Sequence, residues 1–137
     1  MNPIAKNILA AVFGLVIGCI VNGGLVNLGM AVIPPPEGAD VSTFEGFRES
    51  VKLFTPVNFL FPFLAHALGT FTGAFVAAKF AASRHMKFAL AIGVIFLIGG
   101  ITMALLCSGP AWFIAADLLL AYIPMAFLGG SLAGGKR

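Results

Sequence analysis

The chain has 137 residues, is 60% hydrophobic and only 9% charged, and carries a formal net charge of +3. That balance lies outside the range of soluble globular domains and places the chain among membrane proteins. The basic pI near 9.2 does not point to nucleic acid, because no basic patch accompanies it.

A bilayer core of about 30 Å takes roughly 20 apolar residues as helix, and four stretches reach that length. Span one runs from about Asn7 to Ile33, span two from Val57 to Ala82, span three from Phe88 to Cys107, and span four from Ala111 to Ala133. Unpaired backbone groups are too costly in lipid for other conformations, and strand alternation is absent. The expected fold is therefore all-α: a single four-span integral membrane bundle covering residues 1–137.

Span one opens with Lys6 ahead of an apolar run, and "VIGC" at Val16 to Cys19 resembles a bacterial lipoprotein cleavage box. A lipidated cysteine is followed by a polar tether, whereas the residues after Cys19 continue as apolar helix, so cleavage is not expected. Three successive prolines, Pro34 to Pro36, stop the span, since they cannot donate backbone hydrogen bonds.

The only sizeable extramembrane segment, residues 34–56, holds "STFEGFRESVKLF". Phe44, Phe47, Val51 and Phe54 fall at spacings of three, four and three, one helical face. Ser42 and Glu45 form an S-x-x-E capping box. A short amphipathic helix is expected here, lying in the outer headgroup region, covering the bundle, or receiving a partner protein.

The short breaks "ASRHMK" and "SGP" separate the remaining spans. Lys6, Lys79, Arg84, Lys87, Lys136 and Arg137 all fall on one side of this topology. The other side receives a loop with four acids and two bases (Glu37, Asp40, Glu45, Glu49; Arg48, Lys52). Positive residues are retained in the cytoplasm, so both termini are expected there, in a bacterial inner membrane. Trp112 and Pro110 suit an interfacial anchor at the start of span four.

Within the spans, Gly14 and Gly18, Gly69 and Gly73, and Gly130 and Gly134 each make a G-x-x-x-G pair, which permits close helix approach. Gly14, Gly18, Asn22, Leu25 and Gly29 form one stripe, and His66, Gly69, Thr70, Gly73 and Ala77 another. These faces serve contacts within the chain, with a second copy, or with a larger membrane complex.

The polar residues in the spans are few. At about 1.5 Å per residue, His66 lies roughly 13 Å below the outer boundary, and Asp117, Asn27 and Thr102 roughly 9 Å. Asp117 is the only acid within a span, and a charged carboxylate near mid-membrane costs about 2.5–3.5 kcal/mol on insertion scales. It must be paired, neutral or hydrated. A pairing with His66, oriented by Asn22 or Asn27, makes a titratable site; the plainer alternative is that the two only fix helix register. Pro124 should bend span four and free a carbonyl near Leu120, one turn below Asp117.

No metal site is expected, because one His and one Asp supply two of the usual four ligands and His85 falls on the opposite side. Cys19 and Cys107 fall at different depths without a CxxC, so neither disulfide nor redox chemistry is expected. No nucleotide-binding or hydrolase motif is present, and neither cofactor nor catalysis is expected. Two functions compete. On size, a structural, assembly or interaction subunit leads, expected to be oligomeric or part of a larger membrane complex. The alternative is a small proton-coupled transporter or channel using His66 and Asp117.

Overall fold

The computed structural model describes residues 1–134; the basic pair Lys136 and Arg137, used above for orientation, lies outside them. The described residues form helices and connecting loops, without a strand. Helix α1 spans Pro3–Val32, α2 Phe44–Ser50, α3 Leu60–Phe80, α4 His85–Cys107, α5 Ala111–Leu120 and α6 Ile123–Leu132. Short 3-10 turns, Val51–Leu53 and Pro56–Phe59, join α2 to α3. Four helical stretches are long and apolar enough to cross a membrane: Pro3–Val32, Pro56–Phe80, His85–Cys107 and Ala111–Leu132. Their outward faces carry Ile8, Val12, Ile20, Ile98, Leu105 and Leu119 in exposed positions. Such all-round apolarity suits a hydrocarbon surrounding rather than water.

Local chemistry sets the element ends. Asn2 caps α1 by accepting from the Ile4 amide, with Pro3 at the first helical position, where its missing N–H costs nothing. The helix starts four residues earlier than Asn7, since Lys6 reaches solvent without disturbing it. Asn7 instead binds the α3–α4 turn: its Oδ1 accepts from the Ala82 amide at 2.7 Å and its Nδ2 donates to Ser83 Oγ at 3.4 Å. His85 opens α4 and contacts the Ala78 carbonyl at 2.7 Å through Nδ1. It stands at the opposite end of the bundle from His66, as do Lys6, Lys79, Arg84 and Lys87.

The α2 segment departs from the sequence expectation in two ways. Its N-cap is Thr43, whose hydroxyl accepts from the Gly46 amide at 3.0 Å. Ser42 is drawn away, its amide and hydroxyl both donating to Asp40 Oδ1, so the Ser42–Glu45 capping box does not form. Those two donors hold the exposed Asp40 carboxyl below its ordinary value of 3.8. A depressed carboxyl contributes stability above its unfolded value and loses it as pH falls. Proteolysis of the loop is therefore expected to accelerate on acidification below about pH 4 in the wild type, and less so in Asp40→Asn. Equal acceleration in both would disprove the assignment.

Secondly, α2 ends at Ser50, so the aromatic face is not one helix face. Phe47, Val51 and Phe54 pack with Phe59, Cys107 and Phe113 over the end of the bundle, while Phe44 is half exposed. Phe54 lies in extended backbone beyond the 3-10 turn. The segment is thus a roof on the bundle, braced internally by the Ser50 hydroxyl, which accepts from the Asp40 amide at 2.9 Å.

Helix α3 is central: α1 packs along one side of it, and α4 and α6 along the other. The α1–α3 contact is built on glycines. A Cβ at Gly14 would stand 2.5 Å from the Gly73 carbonyl oxygen, and one at Gly18 2.8 Å from that of Gly69. The glycine stripes of spans one and two therefore face each other within the chain. The third pair does not hold. Gly130 packs against Met86 and Ala89, but Gly134 lies past the end of α6 at φ +86° with nothing near it among the described residues. Its left-handed backbone terminates the helix, as glycine most readily allows. Gly129 takes the packing role instead, against the Phe71 carbonyl.

Candidate functional site

Span four is not one helix. Pro124, second residue of α6, has no N–H for the Leu120 carbonyl, and the chain breaks at Ala121 and Tyr122. Helix α6 continues the tight packing against α3 and α4, whereas α5 touches both only sparsely. The space left between the outer halves of α1, α3, α4 and α5 is a cavity of about 400 Å³ beneath the α2 roof. Its walls are apolar, including Met30, Phe47, Phe59, Phe61, Met103 and Phe113.

At its inner end the structure brings His66 and Asp117 together, with Nδ1 2.8 Å from Oδ1. Tyr122, at the break, donates its hydroxyl to Asp117 Oδ2 at 2.9 Å. Each carboxylate oxygen thus meets one donor, and the His66 and Tyr122 rings stack with centroids 5.7 Å apart and planes at 28°. Asp117 and Tyr122 are buried, at 4% and 1% exposure, while the His66 side chain keeps 24%. With Asp117 ionised, Nδ1 carries the proton and donates, which leaves Nε2 as an acceptor. Nε2 has no protein partner among the described residues.

The other sequence-predicted residues divide. Asn22 lines the cavity beside His66, its Oδ1 buried and without a hydrogen bond. Asn27 and Thr102 are not at the site. Both are exposed and bond back to their own helices, Asn27 Nδ2 to the Gly23 carbonyl and Thr102 Oγ1 to the Ile98 carbonyl, each at 2.8 Å. Similar depth put them on one level, but helical rotation turned them outward. Thr70, one turn below His66, is fully buried, and its hydroxyl also lacks a partner.

Tyr122 is the residue that sequence reasoning missed. Its signal was available: it is the single tyrosine of the chain, five positions after the buried acid and two before the proline. A phenol in an apolar span needs a hydrogen-bond partner. Gly100 of α4 is its counterpart, because a Cβ there would collide with the phenol ring.

A second cavity of about 260 Å³ lies between α1 and α4, lined by Leu15, Cys19, Ile95, Phe96 and Tyr122. It shares Asn22, His66, Gly100 and Met103 with the first. His66 therefore stands where two spaces meet. Both cysteines are free thiols, Cys19 exposed on α1 and Cys107 buried under the roof. Among the described residues no group of three His, Cys, Asp or Glu side chains is placed to hold a metal ion. Comparison of the chain with protein-family models, curated proteins and solved structures finds no match.

Proposed function

We propose that the chain is an integral membrane protein, with both termini cytoplasmic in a bacterial inner membrane, and that it passes protons through His66, with a small solute able to take the proton's place. One observation carries this reading: the His66–Asp117–Tyr122 cluster stands at the junction of two cavities. Intramembrane ionisable groups facing a cavity mark solute and proton pathways more often than inert packing. Pinned helix register needs no cavity on either side of the pair.

Mechanistically, Asp117 accepts from both neighbours and fixes the imidazole through Nδ1, as carboxylates orient histidines elsewhere. The exposed edge of His66 then takes or gives a proton at Nε2, and the charge formed is held by the carboxylate. Tyr122 keeps Asp117 in place through the cycle. The break before α6 gives α5 freedom to move relative to the packed half of the bundle, the usual place for a gating hinge.

The assembly role is the second reading. Among the described residues, Gly23 and Gly24 have nothing within 4 Å of where a Cβ would stand, so α1 offers an open surface to another helix. Proton flux in liposomes separates the two readings. Wild-type protein is expected to conduct protons down a pH gradient, and folded His66→Ala and Asp117→Asn are expected to lose that flux. Absence of flux in all three proteins, with the variants less stable than the wild type, would return the cluster to a structural role and favour assembly.

A further inference from the structure

We propose that the solute is a lipophilic ammonium, held by His66 Nε2 and Asn22 Oδ1 in place of a proton on His66. The proposal rests on the reading of the cavity as a solute site and names the ligand class.

Charge leads to it first. Asp117 is the one carboxylate at the cavity floor, and an isolated charge in apolar surroundings is costly unless compensated. Groups facing the floor from the neighbouring elements are uncharged: Asn22 from α1, Gly100 and Met103 from α4, Tyr122 from the break. Under the roof the Cys107 thiol lines the cavity, with the exposed Arg48 guanidinium within electrostatic reach of that thiol. Acidic loop residues Glu45 and Glu49 are exposed on α2. One positive charge balances the floor, and two sources can supply it: a proton on His66 or a cationic ligand at the neutral imidazole. The two exclude each other, since protonation converts Nε2 from acceptor to donor.

Valence agrees with charge. An unpartnered acceptor of the floor is Nε2 of His66 while the ring is neutral, and Asn22, which lines the same space, has a buried Oδ1 that also lacks a partner. A buried acceptor without a donor is destabilising, so a ligand with several donors suits this end of the cavity. A primary ammonium carries three donors and the missing charge; a hydroxyl has one donor, and an ether has none. The remaining walls are aromatic and aliphatic, which suits an apolar tail and adds cation–π attraction from the phenylalanine faces. Binding and release are acid–base steps without a covalent bond: His66 loses its Nε2 proton to water as the ammonium enters, and regains one as it leaves.

The test uses Trp112, the single tryptophan, which packs edge-on against the cavity residue Phe59 at 5.6 Å. Protein in phosphatidylcholine liposomes is titrated with octylamine, octanol and octyl methyl ether while its fluorescence is followed. Near neutral or mildly alkaline pH, octylamine is expected to bind about tenfold tighter than octanol, the difference between a charge-assisted and a neutral hydrogen bond. The preference is expected to vanish in Asp117→Asn. Should that variant not fold by circular dichroism, Asn22→Leu is expected to weaken octylamine severalfold while leaving the ether unchanged. Equal affinity for amine and alcohol would overturn the ammonium assignment and leave the solute site standing. No fluorescence response to any of the three would overturn both.

Discussion

Gly14→Leu is expected to destabilise the protein by about 3 kcal/mol, the upper end of overpacking penalties. The obstacle is backbone: a Cβ at Gly14 meets the Gly73 carbonyl at 2.5 Å and the Ala77 amide nitrogen at 2.9 Å. Side chains can rotate away from an intruder, but two helix backbones can only separate. Separation would forfeit the Gly18–Gly69 approach as well, and with it the whole α1–α3 contact, the most extensive in the bundle. The control is the same substitution at Gly23, where nothing lies within 4 Å; its effect is expected within about 0.5 kcal/mol, as for surface changes generally. Thermal melts in detergent decide. Equal losses at Gly14 and Gly23 would mean that α1 and α3 do not pack through these glycines.

Tyr122→Phe is expected to cost about 1.5–3 kcal/mol, the range for a hydrogen bond to a charged group. The change removes the one donor to Asp117 Oδ2, at a site where Tyr122 and Asp117 are both buried. The exposed edge of His66 makes the other half of the cluster easier to hydrate, so His66→Ala should cost less. Because both donors serve one carboxylate, the double variant should depart from additivity by more than about 0.5 kcal/mol. Interhelical hydrogen bonds in membranes average about 0.6 kcal/mol. A Tyr122→Phe loss at or below that figure would show that water, not the phenol, already satisfies Asp117.

The two experiments probe different halves of the molecule. Along the contact of α1 and α3, and around α6, alanine and glycine bring backbones close; Ala74, Ala77, Ala78, Ala89 and Ala126 are all fully buried. In the outer half, phenylalanine and methionine side chains surround a cavity instead. Small residues leave little room for a ligand, whereas large side chains that meet imperfectly leave space. The boundary falls at the break before α6, where the polar cluster sits.

Much of this could be read in advance because it depends on one-dimensional facts. Span length, proline stops and apolar composition dictate four helical stretches of membrane length, since each can be counted along the chain. The glycine stripes at Gly14–Gly18 and Gly69–Gly73 were legible for the same reason: a spacing of four returns to the same helix face. The pairing of His66 with Asp117 was foreseeable in outline, as two ionisable groups at comparable depth each need a partner.

What failed in the sequence reading failed for geometric reasons. Depth along a helix is fixed by residue number, but the direction of a side chain around the bundle axis is fixed by packing, and so Asn27 and Thr102 turned outward. Gly134 kept the right spacing yet fell beyond the helix end. Ser42 was outcompeted by Thr43 because Asp40 captured it. Composition and periodicity alone determined that this is a chain of apolar helices with one acid and one histidine set deep within their length. Tertiary structure alone decided that Tyr122 joins them and that Asn22 is left unpartnered. Only it placed a cavity on either side of the imidazole, because each of these depends on how a broken helix leans against three others.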